Sequence, residues 1–365
     1  MKKNQLIAGI VVLAVLAGLA IWGRNRIHFN FQEFRTQVAM ADWRKIAIAL
    51  GCIYAGYIIR SIRWALLLRH NKKVPVLSLV GTQAMGFTAV ALIGRVADLV
   101  RPYLVAKKTG TDISSQIAVY IVERLSDAGA MALVLSVAVL GIPQDKIVAA
   151  IHNSKMLMWL TQHAPEWVPV FVFRFGGLVL TICGALFLVA IRLGGGIFAN
   201  GMERGFGVFS KKLGHAIGNR IRTFRTGLDT IRSFADFSVL LVLSLSMWVL
   251  IAASYFETLR AFTASEALAT ITPANCVLLM IVSGGASIIQ LPVVGWFTQI
   301  GIVAAAITGF FGAKPEAATA CAAMLLIVTF LGIVPVGLIW AQVENVSLRR
   351  VTAESEVAEA EEGTL

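Results

Sequence analysis

Charge is scarce in this sequence. Asp, Glu, Lys and Arg make up only 14% of its 365 residues, against roughly 25% in a soluble domain. A soluble globule could not hide the remaining apolar surface, since 58% of the residues are hydrophobic. Lipid can, because its tails are as apolar as the side chains facing them. Cysteine is scarcer still. Cys52, Cys183, Cys276 and Cys321 lie in separate apolar runs, without metal-ligand or CxxC spacing, and read as buried thiols. The sequence has no HExxH, nucleophile elbow or Walker A motif. It therefore offers no zinc hydrolase, no serine esterase, no direct ATP drive and no cofactor. The net charge of +12 does not signal nucleic acid, because Lys and Arg flank apolar runs instead of forming a solvent-exposed basic module.

What remains is a set of apolar runs. A spanning helix needs about 20 mainly apolar residues. Leu6–Gly23 qualifies and is expected to be a retained signal-anchor over 1–23, since Ile21-Trp22-Gly23-Arg24 is a poor cleavage site. Arg44–Arg69, Ser114–Gly141, Val168–Leu193, Ser238–Leu259 and Ala317–Ala341 also qualify. Two regions fit less well. Val76–Gly110 breaks at Gly94 and turns polar, and Ala274–Gly312 breaks at Ser283-Gly284-Gly285 and again at Pro292 and Gly295.

Basic residues orient the set. The amphipathic segment 194–237, the Arg69–Lys73 turn and Arg349-Arg350 belong on the cytoplasmic side. The loops 142–167 and 261–273, poor in Lys and Arg, belong outside. The loop Arg24–Trp43 falls outside despite Arg24, Arg26 and Arg35. These sides require 76–110 to begin and end on the cytoplasmic face, and 274–312 to begin and end on the outer face. Each is expected to be a re-entrant hairpin, covered by protein or water at membrane depth. Residues 1–141, the anchor helix together with the first membrane half 24–141, and residues 168–341 then read as an all-α inverted repeat, a plan that places a transporter's site near the midplane. Both termini are expected in the cytoplasm of a plasma (inner) membrane protein. Within the cytoplasmic tail 342–365, the acidic run Glu354–Glu362 is expected to be disordered.

Several charges sit where lipid should be. Arg60, Arg63, Glu123, Arg124 and Asp127 interrupt apolar helices, and a charge at the bilayer centre costs about 2.5–3.5 kcal/mol. At 1.5 Å per residue, Arg60 and Glu123 lie ~14 and ~15 Å from the cytoplasmic ends of their helices. Arg60 or Arg63 is therefore expected to pair with Glu123 or Asp127. Arg95, Asp98 and Arg101 recur at spacings of three in the first hairpin, and paired arginines bind phosphate bidentately. In the second hairpin, Gln290, Pro292, Gly295 and Gln299 supply side-chain amides and freed backbone groups.

These residues resemble a known family. Arg60-Ser61-Ile62-Arg63-Trp64, then Gly94-Arg95-Val96-Ala97-Asp98-Leu99-Val100-Arg101-Pro102, Val122-Glu123-Arg124-Leu125-Ser126-Asp127, and Gln290-Leu291-Pro292-Val293-Val294-Gly295 look like the flippase-like transmembrane domain of lysylphosphatidylglycerol synthases over roughly residues 31–341. The sequence departs from that pattern with Ala97-Asp98 in place of Gly-Glu, with Trp296 and Phe297 in place of small residues, and with Gln299 near a glutamate's place. No aminoacyl-transfer domain is expected beside this membrane region. The resemblance implies a non-enzymatic protein that moves a polar lipid between leaflets. Arg60, Arg63, Arg95 and Arg101 would meet an anionic phosphate, and Glu123 and Asp127 would orient them. The expected partners are membrane lipids with anionic or zwitterionic headgroups, a lipid or envelope biosynthesis enzyme, and a second copy of the chain. Competing readings are an accessory scaffold for such an enzyme and a membrane-embedded lipid-modifying enzyme.

Overall fold

The computed structural model describes residues 29–69, 72–140, 233–287 and 294–348 continuously, with scattered positions between 165 and 210 and between 350 and 355. The expected signal-anchor, most of the 142–167 loop, most of the 168–193 span and most of the basic segment 194–237 lie outside the described residues.

All regular structure among the described residues is helical. A short helix α1 (Phe31–Ala39) precedes the long α2 (Trp43–Leu68). Helix α3 (Val76–Ile93), a 3-10 turn (Arg95–Leu99), α4 (Val100–Thr109) and α5 (Ile113–Leu140) follow. The later part comprises α6 (Phe234–Arg260), the single turn α7 (Glu266–Ala269), α8 (Pro273–Ala286), α9 (Val294–Phe311), α10 (Pro315–Thr329) and α11 (Val334–Val343). Four stretches are long and apolar enough to cross a membrane: Trp43–Leu68, Val76–Ile93, Ala235–Arg260 and Pro315–Val343. This is a helical membrane protein. The expected span Ser114–Gly141 appears as the 28-residue α5, which carries Glu123, Arg124 and Asp127 in its middle.

Helices α2 and α6 form the central pair, and their ends fix them as antiparallel. At one end, the backbone N–H of Asp42 donates to Ala261 at 2.8 Å. At the other, Arg69 pairs with Asp236, which also closes the capping box that starts α6 at Ser233. A capping box satisfies two otherwise orphaned backbone donors, so Asp236 both starts α6 and ties it to α2. Small residues such as Ala49, Ala318, Ala320 and Ala322 are sealed in the core around this pair, as close helix approach in lipid requires.

Helices α3 and α4 run back along each other. Lys108, at the end of α4, donates to the Ser78 carbonyl at the start of α3 over 2.8 Å. Lys72 bonds the Thr109 carbonyl. The reversal occurs at Gly94, whose φ of 97° is strained for any residue with a Cβ. The segment 76–110 thus begins and ends at one end of the molecule. Helices α8 and α9 pair with each other, with Ser283 accepting from Gln299 at 3.3 Å.

The residues assigned to one membrane side by charge gather at one end of the bundle. Arg69 meets Asp236, Lys108 meets Glu344 at 2.6 Å, and Tyr103 donates to Glu354 at 2.8 Å. The residues assigned to the other side gather at the opposite end, where Asn30 donates to Glu316 at 2.9 Å and Lys45 lies 3.7 Å from Glu257. Helix α1, capped by Asn30, belongs to this second group. Of the acidic tail Glu354–Glu362, only Glu354 and Ser355 are among the described residues. Glu354 of the acidic tail is helical and is held by Tyr103 and by Arg350, at 2.7 Å. Two donors outside the tail's own acidic run make order cheaper than solvation there.

Candidate functional site

The intramembrane charges converge on one network. Arg63 donates to Glu123 at 2.7 Å, to Asp127, and to the Ser244 hydroxyl at 2.9 Å. Arg101 reaches Glu123 at 3.3 Å and Gln83 at 3.1 Å. Arg60 lies 3.5 Å from both Glu123 and Asp127. Arg124 lies 3.4 Å from Glu123 and 3.6 Å from Asp127. Five helices therefore contribute to one cluster: α2, α4, α5 and, through Gln83 and Ser244, α3 and α6. The i, i+3 and i, i+4 spacings that set Arg60 beside Arg63 and Glu123 beside Asp127 put each pair on one face.

Aromatic rings complete the shell. The Arg101 guanidinium lies 4.4 Å from the Phe87 ring centre, 5.1 Å from that of Tyr120 and 5.6 Å from that of Trp64. Ring faces attract a desolvated guanidinium. Space for Arg101 is made by Gly86, where a Cβ would stand 2.0 Å from the Arg101 Cγ.

The arginines divide into two classes. Arg63 and Arg101 are sealed, each with a side chain 1% exposed. Arg60, 13% exposed, and Arg124, 37% exposed, line a cavity of about 240 Å³. Asp98 lines it too. Among these described side chains, four guanidiniums face three carboxylates, leaving one net positive charge. The Nε of Arg124 is buried without a hydrogen-bond partner among the described residues.

Both helical hairpins reach this cavity. Phe87, Val90 and Asp98 come from the first, and Met280, Ser283 and Gln299 from the second. Their tips touch, because the Trp296 indole N–H donates to the Ala91 carbonyl at 3.2 Å. The opposite wall is the middle of α2 and α6, through Tyr57 and Trp248. A third break opens the wall at Thr329 and Phe330. There α10 ends, a 3-10 turn covers Leu331–Ile333, and Pro335 removes a backbone donor. The Gly332 carbonyl is taken up by the Tyr54 hydroxyl at 2.9 Å.

Of the residues expected to bind a ligand, Arg60, Asp98, Arg124 and Gln299 line the cavity. Arg63, Arg101, Glu123 and Asp127 form the charged wall behind it. Gly295 is buried in the first turn of α9 and does not line it. Gln290, Pro292 and the Arg95 side chain lie outside the described residues. Sequence reasoning missed Trp248 and Tyr255, which line the cavity from α6. Their signal was weak, since aromatic residues in an apolar helix usually face lipid or core. Among the described residues, no group of acidic, His or Cys side chains could hold a metal.

Comparison with known proteins adds one result. The model of the family described as the lysylphosphatidylglycerol synthase TM region matches residues 6–337. No curated protein matches the chain.

Proposed function

The chain belongs to the lysylphosphatidylglycerol synthase transmembrane-region family, and from that premise we propose that it carries the headgroup of a phosphate-bearing lipid between leaflets. The carrying observation is the cavity whose wall presents Arg60 and Arg124 against a sealed Arg63–Glu123–Arg101 network. A polar cavity inside a membrane domain accepts what lipid tails cannot solvate. The surplus positive charge favours an anion, and the guanidinium geometry favours phosphate.

The sealed pairs act as a frame. Glu123 and Asp127 hold Arg63 and Arg101 rigidly, so the cavity-facing arginines are pre-oriented and little ordering is left for binding. The two hairpins act as re-entrant elements within an inverted repeat, one opening to each side. What supports this is that 76–110 begins and ends at one end of the bundle, while the tips of the two hairpins meet at the cavity. Moving either tip would open the cavity to one face only, which is alternating access. With no Walker A motif in the sequence, transport would run down a lipid gradient or with a coupled ion.

The test is leaflet translocation in proteoliposomes of phosphatidylcholine carrying traces of acyl-labelled phosphatidylglycerol, phosphatidic acid or phosphatidylethanolamine. Wild-type protein is expected to accelerate movement of a phosphate-anionic lipid. Arg60→Gln is expected to slow it about 10- to 100-fold, the range for one charged hydrogen bond. No acceleration of any of the three lipids would overturn the proposal.

A further inference from the structure

The chain turns back on itself after its last span. Asn345 has a φ of 54°, the one positive φ outside glycine among the described residues. The Val346 N–H donates back to the Ala341 carbonyl at 2.8 Å. Asn is one of the few residues that can end a helix in this left-handed way. The turn sends residues 346–355 over the first hairpin instead of away from it. Val351, 4% exposed, shares a buried cluster with Met85 and Ala89 of α3 and with Val100 and Leu104 of α4. Beyond it, the Tyr103 hydroxyl of α4 donates to Glu354 at 2.8 Å, and Lys107 lies 3.7 Å from the same carboxylate. Thr352 and Ser355 are buried as well.

These contacts complete a clasp around the hairpin. The α3 leg lies hard against α11. A Cβ at Gly81 would stand 1.8 Å from the Trp340 Nε1, and one at Gly337 would stand 2.0 Å from the Thr88 Oγ1. The α4 leg is tied to the last span by residues 346–355 and by the pair of Lys108 with Glu344. The tip between the two legs supplies Phe87, Val90 and Asp98 to the cavity wall. With both legs held, that tip cannot swing away from the cavity unless the clasp gives. Residues 346–355 are its weakest part. A helix shorter than about 12 residues is marginal by itself in water, so this one is ordered by what it docks on. Its release and its unfolding are then one local event, of the kind that low-stability segments undergo.

We propose that residues 346–355 are a strap that holds the first hairpin shut, and that its release opens the cavity to water from the end of the bundle carrying Ser78 and Lys108. The inference rests on the transport reading only for what that opening achieves. The test puts a single cysteine on the cavity wall, Val90→Cys, in a background without the four native cysteines. Val90 is 5% exposed, so an impermeant maleimide should modify the cysteine slowly in nanodiscs while the strap is docked. Deleting residues 346–365 should raise that rate about 10-fold, the effect of undocking one buried Val, and Val351→Asp should do the same. Tyr103→Phe removes one hydroxyl and no packing, so it tests the strap without threatening the fold. It should raise the rate about 3- to 10-fold, the effect of one lost hydrogen bond. Unchanged rates in both Tyr103→Phe and the shortened chain overturn the strap. In the proteoliposomes described above, the shortened chain is expected to move lipid faster than the full chain. Faster modification without translocation by either chain overturns transport and keeps the strap. Faster translocation at an unchanged modification rate overturns the strap and keeps transport.

Discussion

Arg60 and Arg63 lie one turn apart on α2, yet their surroundings give them different work. Arg63 is enclosed by Glu123, Asp127 and Ser244. Its replacement by Met would leave two carboxylates short of a partner inside the bundle. Removing one member of a buried charge pair costs about 3–5 kcal/mol. Arg63→Met should therefore lower the thermal unfolding midpoint in detergent sharply. Arg60 sits 3.5 Å from the same carboxylates but faces the cavity, and its loss leaves Glu123 and Asp127 still paired with Arg63. Arg60→Gln should leave the midpoint nearly unchanged while slowing translocation. Equal midpoints for the two variants would show that the sealed and cavity-facing classes are not distinct. The pairing itself was legible beforehand, because depth along two helices put Arg60 and Glu123 at one level. The division of labour was not, because it depends on what covers each side chain.

At the scale of elements, the first hairpin carries the clearest dependence on a single glycine. Gly86 lets the α3 backbone pass against the Arg101 side chain. Gly86→Ala would drive a methyl group into the Arg101 stem and displace its guanidinium from Glu123. Overpacking of this kind costs about 1–3 kcal/mol, and both the unfolding midpoint and the translocation rate should fall. An unchanged crystal position for Arg101 in that variant would count against the account. The C-terminal segment gives a pH dependence. The Tyr103 hydroxyl and the Arg350 guanidinium hold the Glu354 carboxyl below its usual value of 4.5. The folded value is depressed, so the contact is fully present above the unfolded value and is lost as pH falls through the folded one. Hydrogen-exchange protection of residues 348–355 should persist at pH 6 and drop below pH 4, and Glu354→Gln should remove the pH dependence.

Across the whole molecule, the two ends of the bundle make the topology testable. If 76–110 and 274–312 are opposed re-entrant hairpins, both feet of each must be reachable from one face. In a background without the four native cysteines, Leu77→Cys and Lys107→Cys should react with an impermeant maleimide from the same side. Asn275→Cys and Lys314→Cys should react from the other side. Leu77, Lys107 and Lys314 are exposed, and Asn275 is half-buried. Labelling of Leu77→Cys and Lys107→Cys from opposite faces would make Val76–Ile93 a full span, which its length and hydropathy also permit. The antiparallel return of α4 to Ser78 is why same-side labelling is the expected result.

Hydropathy and charge along the chain determined that this is a helical membrane protein. They also determined that the first interrupted segment breaks at Gly94, and which charges share a depth, whereas the second continues as helix through Ser283-Gly284-Gly285 to Ala286. Those properties are local, since a helix fixes rise and face from spacing alone. The tertiary structure decided what spacing cannot express. It sealed Arg63 and Arg101 and left Arg60 and Arg124 on the cavity, brought Trp296 of one hairpin onto Ala91 of the other, and set Trp248 and Tyr255 of α6 on the same cavity as Gln299. Each of those outcomes depends on which neighbouring helix covers a face, and the partners are separated by tens to hundreds of residues.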